Sequence, residues 1–180
     1  QYLRSCGIEP IPLIDSINED FLTDKFLDRI DHKENIILYN PTKGWKVTQQ
    51  LISRYPEWKF LPLKGLDCDQ LSEKLYKAKL YIDFGHHPGR DRMPREAAMH
   101  GCCLITGRLG SAGNTIDLPI PQQYKFDSSA PNFVEKFGVL TKNVMDKFPE
   151  HYAAFSTYRK WLQDEPRIFK EQIRDYFLGR

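Results

Sequence analysis

The sequence predicts a parallel α/β sheet with helices on both faces. Three observations lead there. Short apolar runs alternate with longer segments of helical periodicity, the pattern of βαβ units. Two of the apolar runs, 35–39 and 102–106, are nearly continuous rather than alternating, as strands buried on both faces are. Polar, glycine-bearing loops follow strand after strand, and in a parallel sheet all such loops open on the same edge.

Taken in order, residues 8–14 are an extended piece broken by Pro10 and Pro12, an edge strand or a linker. Phe21, Leu22 and Phe26 recur at helical spacing, which predicts a short helix from near Asp15 or Ser16 to Phe26. Residues 35–39 are the first buried strand and 40–44 its turn. An amphipathic helix over 45–55 carries Val47, Leu51 and Ile52 on one side and ends before Pro56. A strand at 58–63 precedes a helix at 68–79, with Leu71, Leu75 and Tyr76 on one face. The third strand (80–84), a helix (92–100) and the fourth strand (102–106) follow. After a glycine-rich loop at 107–114, residues 124–127 predict a short fifth strand. Ser128, Ser129 and Pro131 mark a helix start, giving a helix over 132–148 and a helical run over 151–177 interrupted at Pro166. The aromatics of this tail, among them Phe133, Phe137, Phe155 and Trp161, read as core or docking residues without obvious chemistry.

Composition bounds the function. The chain has 180 residues, 41% hydrophobic and 28% charged, enough for one domain with a real core. A net charge of +2 gives no bulk pull towards nucleic acid. No apolar run approaches the roughly 20 residues of a membrane helix. The first residues lack the apolar core of a signal peptide and read as the middle of a longer chain. Cys6, Cys68, Cys102 and Cys103 lack zinc-ligand spacing; adjacent Cys102 and Cys103 read as small buried hydrophobes rather than a disulfide framework, and a reducing, cytosolic compartment fits best.

The densest chemistry lies in 81–96, Tyr-Ile-Asp-Phe-Gly-His-His-Pro-Gly-Arg-Asp-Arg-Met-Pro-Arg-Glu. Fold topology gathers Lys43, Lys64, His86, His87, Arg90, Asp91, Arg92, Ser111 and Asn114 along one rim. A solvated rim of turn residues would explain the charge. The accompanying glycines favour a site, because they let backbone amides approach a phosphate. Lys43 precedes Gly44 at the mouth of a helix, where an anion is welcome. Neither a Walker loop nor a G-x-G-x-x-G fingerprint is present. Glu96 is expected in the first turn of its helix, kept ionised by Arg92 and Arg95 to accept sugar hydroxyls. Adjacent histidines diverge, and no further ligand stands at a metal-like spacing, so His86 and His87 read as hydrogen-bonding groups and not as metal ligands.

Tyr-Asn-Pro-Thr-Lys-Gly (39–44), the 81–92 run, Pro-Arg-Glu-Ala-Ala-Met-His-Gly-Cys (94–102) and Ile-Thr-Gly-Arg-Leu-Gly-Ser-Ala (105–112) resemble the C-terminal, donor-binding half of GT-B glycosyltransferases of the group 1 type. The resemblance covers roughly residues 8–127, with the tail similar to that half's closing helices. It implies a Rossmann-like sheet in which 1–34 is a linker and remnant of an N-terminal domain, 35–127 binds nucleotide sugar and 128–180 packs on it. Glu96 matches the ribose-binding glutamate and Lys43 the diphosphate-binding cation. The 85–92 loop, with Gly85, His86, His87, Gly89, Arg90 and Arg92, would cradle the donor sugar. Gly110 and Ser111 would approach the phosphates, and Asn40, Gly44 and Lys64 complete the implied donor site. Catalytic residues stay unassigned, with His87, Asp91 and Arg92 as candidates. The family's acidic residue eight positions before the glutamate is Pro88 here, which leaves sugar contacts and stereochemistry open.

The implied activity is sugar transfer in polysaccharide biosynthesis, without cofactor or metal, to an acceptor glycan held by the missing N-terminal domain. The implied location is cytoplasmic or peripheral to a membrane through the rest of the protein. Two other readings stand beside it: a sugar-nucleotide epimerase of the same fold, and a non-catalytic nucleotide-sugar-binding or interaction module.

Overall fold

The computed structural model describes residues 2–11, 13–22, 26–27 and 30–179. Four parallel strands, β1 (Glu34–Tyr39), β2 (Lys59–Pro62), β3 (Ala78–Asp83) and β4 (Cys103–Thr106), lie in the order β2-β1-β3-β4. Helices follow α1 (Tyr2–Ser5) in chain order: α2 (Trp45–Arg54), α3 (Cys68–Lys77), α4 (Arg92–Met99), α5 (Phe133–Asp146), α6 (Phe148–Ala154) and α7 (Ser156–Ile173). The fold is a Rossmann-like α/β sheet with a helical C-terminal tail, as the sequence predicts. The chain leaves β1 towards β2, then crosses back past β1 to β3 and on to β4. Right-handed crossovers put α2 on one face and α3 and α4 on the other. The direction of winding therefore reverses between β1 and β3.

Burial follows the order. β3 and β4 bury almost every side chain and β1 its last four, whereas β2, at the edge, buries none fully. On the α2 face, α5 packs on β3, Phe84 and Phe137 meet edge-on at 6.0 Å, and the Tyr55 hydroxyl donates to the Val134 carbonyl at 2.9 Å. On the other face α7 lies along α4. At the amino end of the sheet Lys33 is buried, its Nζ donating to the carbonyls of Leu75, Ala78 and His100 at 2.9, 2.9 and 2.6 Å.

Three local expectations fail for visible reasons. Where the helix from Asp15 is expected, the described residues form a 3₁₀ turn, Glu19–Phe21, capped by Asn18; residues 23–25 of that span lie outside the described ones. Arg95 takes both the carbonyl and the carboxylate of Asp15, at 3.1 and 2.9 Å, and holds the chain extended there. The fifth strand reduces to one bridge, Thr106 to Lys125, with the Phe126 amide on the Thr106 carbonyl at 2.8 Å. Preceding it is a 3₁₀ turn, Gln122–Tyr124, which buries Tyr124 and leaves no second pairing residue in register. In the tail α7 continues unbroken across Pro166, and the break falls at Phe155 instead. Phe155 is fully buried at that corner, and Leu162 and Glu165 are fully buried just before the proline, so packing offsets the missing hydrogen bond.

Candidate functional site

Open α/β sheets bind ligands outside the carboxyl ends of their strands, where the winding reverses. Here that point is met by the loops after β1 and β3, and the two loops touch. A Cβ on Gly44 would stand 2.5 Å from the Phe84 carbonyl carbon, and one on Gly85 would stand 2.6 Å from the Lys43 Cβ. Glycine at both positions allows this approach. Gly44 also has a φ of +61°, which favours glycine, and it begins α2 with no side chain capping the helix.

Lys43 leans from this junction across to the β3 loop, where its ammonium pairs with the Asp91 carboxylate. Asp91 stands at the N-cap of α4, a position where aspartate usually closes the helix. Its carboxylate is turned to Lys43 instead, so α4 also begins without a side-chain cap. His87 is buried beside them, Nδ1 lying 3.6 Å from Asp91 Oδ2 and Nε2 lying 3.5 Å from Asp83 Oδ1 without a hydrogen bond. Asp83, at the end of β3, accepts from the Gly85 amide at 2.9 Å and the Tyr81 hydroxyl at 3.2 Å. Burial works to raise its carboxyl, but the His87 ring, the Gly85 amide and the Tyr81 hydroxyl together hold it below the ordinary value.

The β4 loop closes the other side. The His87 amide donates to the Leu109 carbonyl at 3.2 Å, and the His87 carbonyl accepts from the Ser111 amide at 2.9 Å. A Cβ on Gly110, whose φ is +69°, would stand 2.1 Å from the His87 carbonyl oxygen. The Ser111 hydroxyl donates to the Gly89 carbonyl. His86 and Gly89 are exposed at the rim. Asn40 folds its amide oxygen back on Thr42, accepting from its amide at 3.0 Å and its hydroxyl at 2.7 Å. Lys64 is exposed on the loop after β2.

Several expected roles change. Glu96 lies in the second turn of α4, not the first, and is 1% exposed. Arg92 pairs with its Oε1 at 2.9 Å, but the Arg95 guanidinium turns to Glu165 and Asp15. Burial therefore raises the Glu96 carboxyl above its ordinary value, and the arginines offset this only in part. Its Oε2 is buried without a hydrogen-bond partner. Arg90 points away from the crevice: it pairs with the fully buried Glu165 and lies 4.2 Å over the Trp161 ring. The spacing argument against metal ligands at His87 also fails, because Asp83, His87 and Asp91 bring ligand atoms within 4.8 Å of one another. Their donor set would suit a divalent cation, though the Lys43 ammonium already supplies positive charge at Asp91. Sequence reasoning missed Asp83 and Glu165. An aspartate four residues before His87 was the available sign of the first.

A cleft of about 470 Å³ between β2 and α3 lies elsewhere, lined by Glu34, Lys59, Glu73 and Lys77, which pair among themselves. Among the described residues no helix is long and apolar enough to cross a membrane.

Fold and site together define a Rossmann-like α/β domain whose crevice has basic and acidic side chains, close-packed glycines and two uncapped helix starts. No protein-family model matches the chain, and no curated protein sequence matches it. Among solved structures, Anabaena HepE (Alr3699) in complex with UDP-glucose is similar, with a TM-score of 0.54 at 10% identity over 89% of this chain and 53% of that one. The chain thus spans about half the length of HepE. At this identity the likeness shows a shared fold.

Proposed function

We propose that this domain binds a nucleoside-diphosphate sugar at the carboxyl ends of β1, β3 and β4, as the donor-binding half of a GT-B glycosyltransferase. The observation that carries this is the junction at the reversal point, where Lys43, Gly44 and Gly85 meet between two uncapped helix starts. Free amides and a lysine charge suit a diphosphate, and the glycines let it come close. The bound UDP-glucose of the similarly folded HepE supports the same ligand class.

In this reading Lys43 exchanges Asp91 for the diphosphate. Glu96 offers its unpartnered Oε2 to a ribose hydroxyl once Arg92 swings aside. The donor sugar lies along His86, His87 and Gly89, with Gly110 and Ser111 near the phosphates; Asn40 and Lys64 flank the entrance. Arg90 shapes the loop from behind. Departure of the nucleoside diphosphate is helped by fixed positive charge from Lys43 and Arg92, without a metal ion or cofactor. The acceptor glycan is held by a second domain, which supplies the opposite wall of the crevice. Calorimetric titration of the chain with UDP-glucose, UDP and glucose tests this. Saturable binding of the first two and none of glucose is expected; no binding by any nucleoside diphosphate or its sugar overturns the reading.

A further inference from the structure

The loop between β3 and α4 carries the candidate site, yet residues 84–91 have little regular structure of their own. Arg95 of α4 holds it from beneath. Its Nη2 donates to the Arg90 carbonyl at 2.8 Å and its Nε to the Asp91 carbonyl at 3.3 Å. Arg90 adds its side chain, laid over Trp161 of α7. Both guanidinium groups converge on one carboxylate. Glu165 accepts from Arg95 Nη1 at 3.2 Å through Oε2 and from Arg90 through Oε1. Glu165 is 0% exposed, so these two arginines stand in for the water it has lost. It sits on α7, the helix that also carries Trp161.

We infer that Glu165 is a positioning residue for the ligand crevice. By fixing Arg90 and Arg95 it sets the backbone of Arg90 and Asp91. That backbone aims the carboxylate holding Lys43 and orients the open start of α4. Glu165 touches no ligand; it acts through the two arginines. The inference rests on the nucleoside-diphosphate reading for its binding consequence, but not for its effect on the loop.

Removing the negative charge leaves two buried guanidinium groups competing for a weaker acceptor and releases the loop. Small displacements of binding groups are costly, so Glu165→Gln should weaken UDP by about ten- to a hundredfold. Loss of stability alone could mimic this. Leu162→Ala is the control: Leu162 is also 0% exposed on α7, but its apolar side chain can neither pair with nor hydrogen-bond the arginines. Both variants are compared with wild type at a temperature where circular dichroism shows all three folded. UDP affinity is read by calorimetry, and amide exchange across residues 85–92 by mass spectrometry.

The expected result is weaker UDP binding and faster loop exchange in Glu165→Gln, with both unchanged in Leu162→Ala even though its melting temperature falls. Should Glu165→Gln fail to fold, Glu165→Asp keeps the charge but withdraws it by one carbon, and a smaller change in the same two readouts is expected. Equal loop exchange in wild type and the Glu165 variant overturns the inference, as does a loss of affinity that merely tracks melting temperature in both α7 variants. If wild type does not bind UDP but Glu165→Gln still loosens the loop selectively, the ligand assignment fails and the brace stands.

Discussion

Helix α3 and helices α2 and α4 begin at the same edge of the same sheet and are finished differently. α3 opens with a capping box: Asp67 accepts from the Gln70 amide at 2.8 Å, and the Gln70 side chain accepts from the Asp67 amide at 3.2 Å. α2 and α4 have no side-chain cap, although Asp91 stands where one could form. The capped helix follows the edge strand; the uncapped ones flank the reversal point. Capping is a local solution worth about 1 kcal/mol. Forgoing it twice, beside close-packed glycines, leaves donors free for something from outside the chain.

The comparison breaks most easily at Gly44. Alanine there meets the β3 loop at 2.5 Å and must hold a φ of +61°. Left-handed strain and overpacking together should cost about 2–4 kcal/mol in urea unfolding, and UDP binding should vanish. A variant as stable as wild type would mean that the two loops do not touch. Next is Lys43→Ala. Charge-assisted hydrogen bonds contribute roughly 1.5–3 kcal/mol, so calorimetry should find UDP about ten- to a hundredfold weaker. Unchanged affinity would leave the lysine as a partner of Asp91 and nothing more.

Asp67→Ala sharpens the contrast from the other side. It should lower stability by about 1 kcal/mol in the same unfolding assay while leaving UDP affinity untouched. Weaker binding would show that the capped edge also belongs to the crevice. A smaller effect is expected from Glu96→Gln. Burial holds Glu96 above its ordinary 4.5, so just above that pH the folded chain keeps a proton that the unfolded chain has released. This stabilisation is complete below the ordinary value and is lost as pH rises through the raised one. The variant should flatten that fall in urea midpoints measured at successive pH values; an identical profile would place the Glu96 carboxyl in water. Smallest of all is the response to EDTA. UDP affinity should stay the same, and a loss restored by Mn²⁺ would assign Asp83, His87 and Asp91 to a metal.

Much of the scaffold was legible because its pattern is local. The apolar run 35–39 and the periodicity of 45–55 each need only their own neighbours, and they return as β1 and α2 within a residue. The rim was legible because topology alone carries Lys43 and 85–92 to one edge. What was hidden depends on distance. Glu165 and Arg95 are 70 residues apart, and no local pattern joins them. Asp83 looked like the polar end of a strand, since nothing in its run shows that His87 folds back over it. Glu96 was expected to be kept ionised by its arginines, because burial of a carboxylate shows only once Ala97 and Ala98 are packed.

Lys33 gives the domain a polarity. One ammonium gathers carbonyls from the carboxyl ends of α3 and α4 and closes the negative pole of both helices from within the chain. At the opposite pole α4 and α2 present their positive ends without a side-chain cap. The domain resembles a salt supplied with its cation and short of its anion. An anion arriving at the crevice would do for the amino ends what Lys33 does for the carboxyl ends. Ligand binding and folding would then be two halves of the same neutralisation.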